Sequence, residues 1–293
     1  MTAGAFKYAA FDLDGTLLDQ DGKIDDDTVA GVRRLRSERI TLFVVSGRSP
    51  DLVKVLGLAP QVLDLFEPRM VLRNGDIIWN WRTNTVESIR PIPDAVLPTL
   101  AHSFPDFVAD TEQGLVASSR RAAAGHAVFY GCPRSSITVA DGPPTMPAAK
   151  VTIYADPTRV SAALRGIDGC TFDAAEEGRR CSVIPTGSCK TVGLAELMAR
   201  RYGQPTLDDV VAFGDGSNDA CLLRCAGAGV AMAVSDPDAA RSATIQLAGS
   251  LAAYLTEHFP AGLDKARGYV GGGSCCHERM SAAACARSAE RPD

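Results

Sequence analysis

The chain has 293 residues, 46% of them apolar and 22% charged, with 30 Lys and Arg against 35 Asp and Glu for a formal charge of −5. That balance excludes wholesale disorder and disfavours nucleic-acid binding through a broad basic face. At roughly 150 residues per domain, the length suggests about two domains.

Phe6 to Phe11, apolar and aromatic apart from Lys7, reads as a buried strand that breaks into the polar turn Asp12-Leu13-Asp14-Gly15-Thr16. A helix follows. Asp25, Asp26 and Asp27 crowd its first turn, Val29, Val32 and Leu35 mark one face, and Arg33, Arg34 and Arg36 lie toward its end, matching the macrodipole at both termini. Ile40 to Val45 is the next strand, stopped by Ser46-Gly47-Arg48. Strand, helix, strand is the grammar of a parallel sheet. From Trp81 to Pro185 the apolar runs shorten to pieces such as Leu115 to Ala117, Val128 to Tyr130, Val151 to Tyr154 and Cys181 to Ile184, which read as an α+β insertion with antiparallel strands. Lys190 to Tyr202 returns to helical spacing through Leu194, Leu197 and Met198, with Gly203 as the stop. Val210 to Phe213 is then a strand ending in Gly214-Asp215-Gly216-Ser217-Asn218-Asp219, and a helix follows through Leu222 and Leu223.

The expected fold class is therefore α/β: a Rossmann-like, doubly wound parallel sheet core from residues 1–80 and 186–265, with an α+β cap inserted at 81–185. Residues 266–293, with Gly271-Gly272-Gly273-Ser274 and an Ala/Ser/Arg-rich stretch, carry no periodic apolar face and are expected to form a mobile tail. The longest uncharged stretch, Ser242 to Thr256, is 15 residues and falls short of a membrane span. Lys7, Asp12 and Asp14 interrupt any secretory apolar region. Nine cysteines make an odd count, six of them scattered singly from Cys132 to Cys225, which fits a reducing, cytoplasmic setting.

Two carboxylates one residue apart at the end of an apolar strand, Asp12 and Asp14, repel each other unless a cation offsets them. Asp215, at the end of another strand, can complete an all-oxygen site of the kind Mg²⁺ accepts. The plainer reading is that Asp12 and Asp14 only cap a turn with Gly15. Ser46 and the bare amides of Ser46-Gly47-Arg48 offer an anion site, although Ser-Gly turns are common. Lys190 opens a helix, an unfavourable place for a cation unless an anion is near; alone it reads as a solvated lysine. Asn218 and Asp219 sit at a helix start, where capping is the plain reading.

Taken together and in order, Asp12-Leu13-Asp14-Gly15-Thr16, Ser46-Gly47-Arg48, Lys190 and Gly214-Asp215-Gly216-Ser217-Asn218-Asp219 resemble the four motifs of the haloacid dehalogenase-like (HAD) superfamily. Arg73-Asn74-Gly75, Pro185-Thr186-Gly187-Ser188-Cys189-Lys190 and Ala228-Gly229-Val230-Ala231-Met232 resemble its Cof-type branch, subfamily IIB, whose large cap is inserted between the second and third motifs. The resemblance implies a phosphatase of small phosphomonoesters, such as sugar phosphates or phosphorylated cofactors. Asp12 would be the nucleophile that becomes an aspartyl phosphate, and Asp14 the general acid and base. Mg²⁺ would be held by Asp12, the Asp14 carbonyl and Asp215. Ser46, the Gly47 amide, Lys190 and Asn218 would hold the phosphoryl oxygens, with Asp219 orienting Lys190 or a metal-bound water.

Asp76 departs from the branch, which has a small residue after Asn-Gly. Cys275-Cys276-His277 with Cys285 lack the spacing of a zinc site. Arg120-Arg121 and Arg179-Arg180 read as solvated surface, with contact to a second substrate phosphate or carboxylate as the alternative. The cap is expected to exclude macromolecules, so the partner is a small phosphorylated metabolite, without nucleic acid or membrane. Phosphoryl transfer to a second substrate, as in mutases, and a catalytically silent binding module are the competing readings. Dehalogenation is disfavoured because Asp14 supplies a carboxylate which that reaction does not need. Trp79-Asn80-Trp81 and Pro185 to Gly187 are the expected hinges.

Overall fold

A computed structural model describes residues 6–140, 142, 144–174, 180–203 and 205–259. The expected tail at 266–293, with Cys275, Cys276, His277 and Cys285, lies outside these, as does Arg179. No helix among the described residues is long and apolar enough to cross a membrane.

The chain opens with β1 (Tyr8–Phe11), α1 (Asp26–Ser37), β2 (Thr41–Val44) and two short helices, α2 (Pro50–Lys54) and α3 (Pro60–Leu63). Asp25 caps α1 by accepting from the Thr28 amide at 2.8 Å, and Ser49 caps α2. A three-stranded antiparallel sheet follows: β3 (Arg69–Leu72), β4 (Ile77–Asn80) and β5 (Thr85–Ile89). Next come α4 (Val96–Ser103), β6 (Phe107–Thr111), β7 (Gly114–Ala117), α5 (Arg120–Tyr130), β8 (Ile137–Val139), β9 (Ala148–Ile153), α6 (Pro157–Ala163), β10 (Cys170–Ala174) and β11 (Cys181–Pro185). The chain then returns through α7 (Lys190–Tyr202), β12 (Val210–Gly214), α8 (Ala220–Cys225), β13 (Ala228–Ala231), α9 (Pro237–Ser242), β14 (Ile245–Gln246) and α10 (Leu251–His258).

The core sheet is parallel throughout, in the order β14-β13-β12-β1-β2. Apart from the edge strand β14, its strands are buried on both faces, so they read as nearly unbroken apolar runs. Period-two alternation divides them between two cores. Ala9, Phe11, Leu42, Val44, Val211 and Phe213 face Val32 and Leu35 of α1 and Leu251 and Leu255 of α10. Ala10, Phe43, Val45, Val210 and Ala212 face Leu194, Leu197 and Met198 of α7 and Leu222 and Leu223 of α8. Helices thus cover both sides, which is the doubly wound arrangement, and each buried Leu or Phe contributes about 1.5–3 kcal/mol.

The second sheet runs β10-β11-β9-β6-β7-β8. It is antiparallel as expected except for β7 and β8, which pair in parallel across the α5 crossover. Val128 to Tyr130, one of the short apolar pieces, ends helix α5 instead of forming a strand. The expected start of the insertion at Trp81 meets a hairpin: β4 pairs with β5, and the Trp81 amide donates to the Pro68 carbonyl at 3.0 Å. The chain changes sheets later. Arg90 N donates to Asp76 O at 2.7 Å on the first side, and Ile92 N donates to Ala148 O at 2.8 Å on the other.

Candidate active site

Parallel register brings the chemistry-bearing turns to one edge. Phe11 pairs with Phe213 and with Val44, so Asp12 and Asp215 directly follow, and Ser46 follows one residue later, the carboxyl ends of adjacent strands. The Phe11 and Phe213 rings stack at 4.6 Å beneath them. Asp12 N donates to Phe213 O at 3.0 Å, which ties the first acidic turn to the strand that carries the last.

Lys190, the first residue of α7, has no exposed surface, and its Nζ donates to Asp12 Oδ1 and Asp219 Oδ1, both at 2.6 Å. The other Asp219 oxygen accepts from the amides of Asp215, at 3.1 Å, and Gly216, at 3.0 Å. Asp219 therefore shapes the Gly214–Asp219 loop and holds the lysine at once, a stronger role than the capping that its position suggested. One carboxylate oxygen from each of Asp12, Asp215 and Asp219 lies within 4.8 Å of the others. The acidic residues from opposite ends of the chain do converge.

Burial pushes the Asp12 carboxyl above the usual range, with Asp219 adding to the rise and Lys190 opposing it. For Lys190 burial works against the charge, but the attraction of Asp12 and Asp219 prevails and holds the ammonium above its ordinary value. These two tendencies conflict, since a neutral Asp12 would forfeit its share of that attraction. Two 2.6 Å contacts to an ammonium with no exposed surface favour the ionised Asp12. Asp215 is half-buried and also raised, by burial and then by the Asp219 charge, while the Thr16 hydroxyl donates to it at 3.3 Å. Gly15 has φ +73°, and a Cβ there would stand 2.2 Å from Asp215 Oδ2. Only glycine lets the two acidic loops approach this closely.

Asp14 stands apart from this cluster. Its side chain is 54% exposed and gripped in a fork by Arg48, whose Nε and terminal nitrogen donate at 2.7 and 2.6 Å. Ser46 is fully buried, with its Oγ accepting from the Arg48 amide at 3.2 Å. Gly47 lies against two amide side chains: a Cβ there would meet Asn74 Oδ1 at 3.0 Å and Asn218 Nδ2 at 3.3 Å. Asn218 in turn donates to Asn74 at 3.0 Å. Sequence reasoning passed over three of these contacts, Arg48 on Asp14, Asn74 on Asn218 and Thr16 on Asp215. Arg48 and Asn74 stood inside motifs already singled out, but nothing in a linear pattern says which way their side chains reach. Of the arginine pairs, Arg121 is an exposed partner of Asp106, and Arg180 lies 3.6 Å from the Phe129 ring.

All-oxygen donors and surplus negative charge suit a hard divalent cation. Asp12 and Asp215 offer carboxylate oxygens for one, whereas Asp219 has both oxygens engaged by Lys190 and the loop amides.

A family model described as haloacid dehalogenase-like hydrolase matches residues 9–249. Over 242 residues, 79% of this chain and 85% of the relative, it is 28% identical to an HMP-PP phosphatase of Enterobacter sp. (strain 638). A phosphoglycolate phosphatase of Methanopyrus kandleri is 26% identical over 249 residues, 80% of this chain and 88% of the relative. Among solved structures, a haloacid dehalogenase-like hydrolase from Bacteroides thetaiotaomicron superposes with a TM-score of 0.69 at 22% identity, covering 86% of this chain and 99% of that one. The HAD subclass IIB sugar phosphatase BT4131 gives 0.67 at 19% identity, with 86% and 98% covered, which shows a shared fold.

Proposed function

The chain belongs to the haloacid dehalogenase-like hydrolase family, and from that footing we propose that it is a Mg²⁺-dependent phosphatase of small phosphomonoesters that works through an aspartyl phosphate at Asp12. The observation that carries this is the buried Lys190 bridging Asp12 and Asp219, with Asp215 alongside, at the carboxyl edge of the core sheet. Names borne by relatives, HMP-PP phosphatase and phosphoglycolate phosphatase, support a small phosphorylated substrate.

Lys190 occupies Asp12 Oδ1, which leaves Oδ2 to attack phosphorus. The bond from phosphorus to the ester oxygen breaks as the bond to Asp12 forms, and the departing alkoxide takes a proton from Asp14. Asp14 then accepts a proton from water, which attacks the aspartyl phosphate, releases inorganic phosphate and restores Asp12. To do either, Asp14 has to leave the Arg48 fork, so Arg48 would gate the acid. Ser46, the Gly47 amide, Lys190 and Asn218 would hold the phosphoryl oxygens. Asp12, Asp215 and the Asp14 carbonyl would hold Mg²⁺, which when bound would neutralise charge on the transferring group.

Purified chain incubated with Mg²⁺ and a panel of phosphorylated metabolites should release inorganic phosphate, and EDTA should stop it. Asp12→Asn should lower the rate by more than about a thousandfold with the circular dichroism unchanged. Full activity in that variant would overturn the reading, and isomer without free phosphate would make the enzyme a mutase.

A further inference from the structure

The two faces of the six-stranded sheet differ in chemistry. One packs Phe107, Ala109, Val151, Ile153, Cys181 and Val183 against α4 and α6. On the other, the pairings Asp110 with Lys150, Val108 with Thr152 and Ser182 with Thr152 line up polar residues next to α5. Leu52 of α2 packs into the apolar cluster beside α5, so this polar face is the one turned toward the core sheet.

Seven buried side-chain nitrogen or oxygen atoms lack a hydrogen-bond partner among the described residues, and four of them belong to this region: Arg73 Nε, His126 Nε2, Thr152 Oγ1 and Arg180 Nε. Native proteins leave few such atoms, because each costs on the order of 1–3 kcal/mol, so four together need a reason. Contacts connect them. Arg73 pairs with Asp110 at 2.7 Å, and Lys150 stands beside Asp110 in register. The Lys150 ammonium lies 6.0 Å from the Tyr130 ring, Arg180 donates to Tyr130 Oη at 3.0 Å, and the His126 ring sits 4.4 Å from that of Tyr130. Tyr154 Oη meets His126 Nδ1 at 2.9 Å. His126 and Thr152 have no exposed surface, whereas Lys150, Tyr130, Tyr154 and Arg180 are half-buried.

Against Arg73, Lys150 and Arg180, the ion pairs among the described residues supply one carboxylate, Asp110; Asp76 also feels the Arg73 charge, but burial lifts its carboxyl to about 7. Burial, and then Arg73, Lys150 and Arg180, push His126 down to about 3, so it stays neutral and Nε2 donates when Tyr154 holds Nδ1. All four orphaned atoms can therefore serve as donors, the complement of an anion. The turn that carries Arg73 also touches the catalytic loops, since Asn74 accepts from Asn218 and lies against Gly47. Arg73 and Asn74 hold successive left-handed conformations, φ 50° and 53°, a strain that residues other than glycine rarely bear and that clusters at functional sites.

We infer that Lys150 and Arg73, with His126 and Thr152 as neutral donors, form an anion subsite that receives a second negatively charged group of the phosphorylated substrate. This deepens the phosphatase reading and rests on it only for the place of the first phosphate. The substrate class is then a phosphomonoester carrying a further carboxylate or phosphate.

Non-hydrolysable probes test it without turnover. Calorimetry on the full chain with Mg²⁺ compares phosphonocarboxylates of increasing chain length, and a parallel series of α,ω-bisphosphonates, with alkylphosphonates of matched length. At the best length a doubly anionic probe should bind about tenfold tighter or more than its alkyl counterpart, and the tighter series names the second group. Lys150→Gln should cut that ratio below about threefold, while Lys150→Arg retains it. No preference at any length in the wild-type chain overturns the inference, with or without a folded variant, and so does a preference that survives Lys150→Gln. If the preference appears and depends on Lys150 while no phosphomonoester is hydrolysed, the subsite stands and the phosphatase reading falls.

Discussion

A lysine without exposed surface is tolerated only while its charge is met, and Lys190 is met twice, by Asp12 and Asp219. Lys190→Met would leave those carboxylates buried and facing one another. At pH 8 the variant should lose about 3–5 kcal/mol in urea unfolding and at least about a thousandfold in phosphate release. A mere surface lysine would give neither effect. Asp76 makes a separate prediction. Burial lifts its carboxyl from 3.8 to about 7, against the Ser188 hydrogen bond and the charges of Arg90 and Arg73. Between those two values the folded chain keeps a proton that the unfolded chain has released. Asp76 thus contributes stability that is full below the lower value and is lost as pH rises through the upper one. Asp76→Asn should shrink the fall in unfolding free energy between pH 5 and pH 8 by about 1–3 kcal/mol, measured by urea titration at both; identical slopes would count against a buried proton on Asp76. At this scale Asp12, Asp215, Lys190 and Asp219 were legible because each stands where a periodic segment ends or begins. The grip of Arg48 on Asp14 was not, since it depends on the direction in which a turn projects two side chains.

Among the elements, α7 sets the geometry of the site because its first residue is Lys190. Its first turn is pressed onto the Arg73–Gly75 turn. A Cβ on Gly193 would stand 2.4 Å from Gly75 Cα and 2.6 Å from Val71 Cγ1, and one on Gly75 would meet the Cys189 carbonyl at 2.2 Å. Backbone on both sides leaves no room to yield. Gly193→Ala should destabilise by about 1–3 kcal/mol and lower phosphate release as the lysine is displaced. Gly125, inside α5, is the contrast: a Cβ there meets nothing closer than 4.0 Å, so Gly125→Ala should be neutral or stabilise by up to about 1 kcal/mol in the same urea assay. β1, α1, β2, α7, β12 and α8 could be read from sequence because the strands are apolar runs and α1 and α7 carry charged or glycine end signals, whereas β14, two residues long and partly exposed, and α10 were not. β5 could not: Thr-Val-Glu-Ser-Ile is half exposed, and its pairing with β4 turns on Asn84, which sits at φ 53° in the connecting turn. An asparagine able to adopt that conformation was the one local sign of a hairpin.

Across the whole molecule the chain enters the six-stranded sheet once and leaves it once, and Asp76 touches both passages. Its carbonyl accepts from Arg90 N at 2.7 Å, and its carboxylate accepts from Ser188 Oγ at 2.8 Å. Two other contacts bridge the parts directly, Arg73 to Asp110 and Asp51 Oδ2 to the Leu115 amide at 3.1 Å. If the inserted part rocks to admit substrate, the pivots are where hydrogen bonding changes sheets, near Arg90 to Ile92 and Thr186 to Ser188, and not within the β4–β5 hairpin, whose strands stay paired on both sides of a bulge at Glu87. Hydrogen exchange followed by mass spectrometry separates the alternatives. Peptides over 90–92 and 186–188 should exchange at least about tenfold faster than β12, while β4 should be protected to the level of the core strands. Fast exchange of Ile77 to Trp81 would return the pivot to the hairpin. Protection at both passages equal to that of β12 would mean that substrate enters without any rocking.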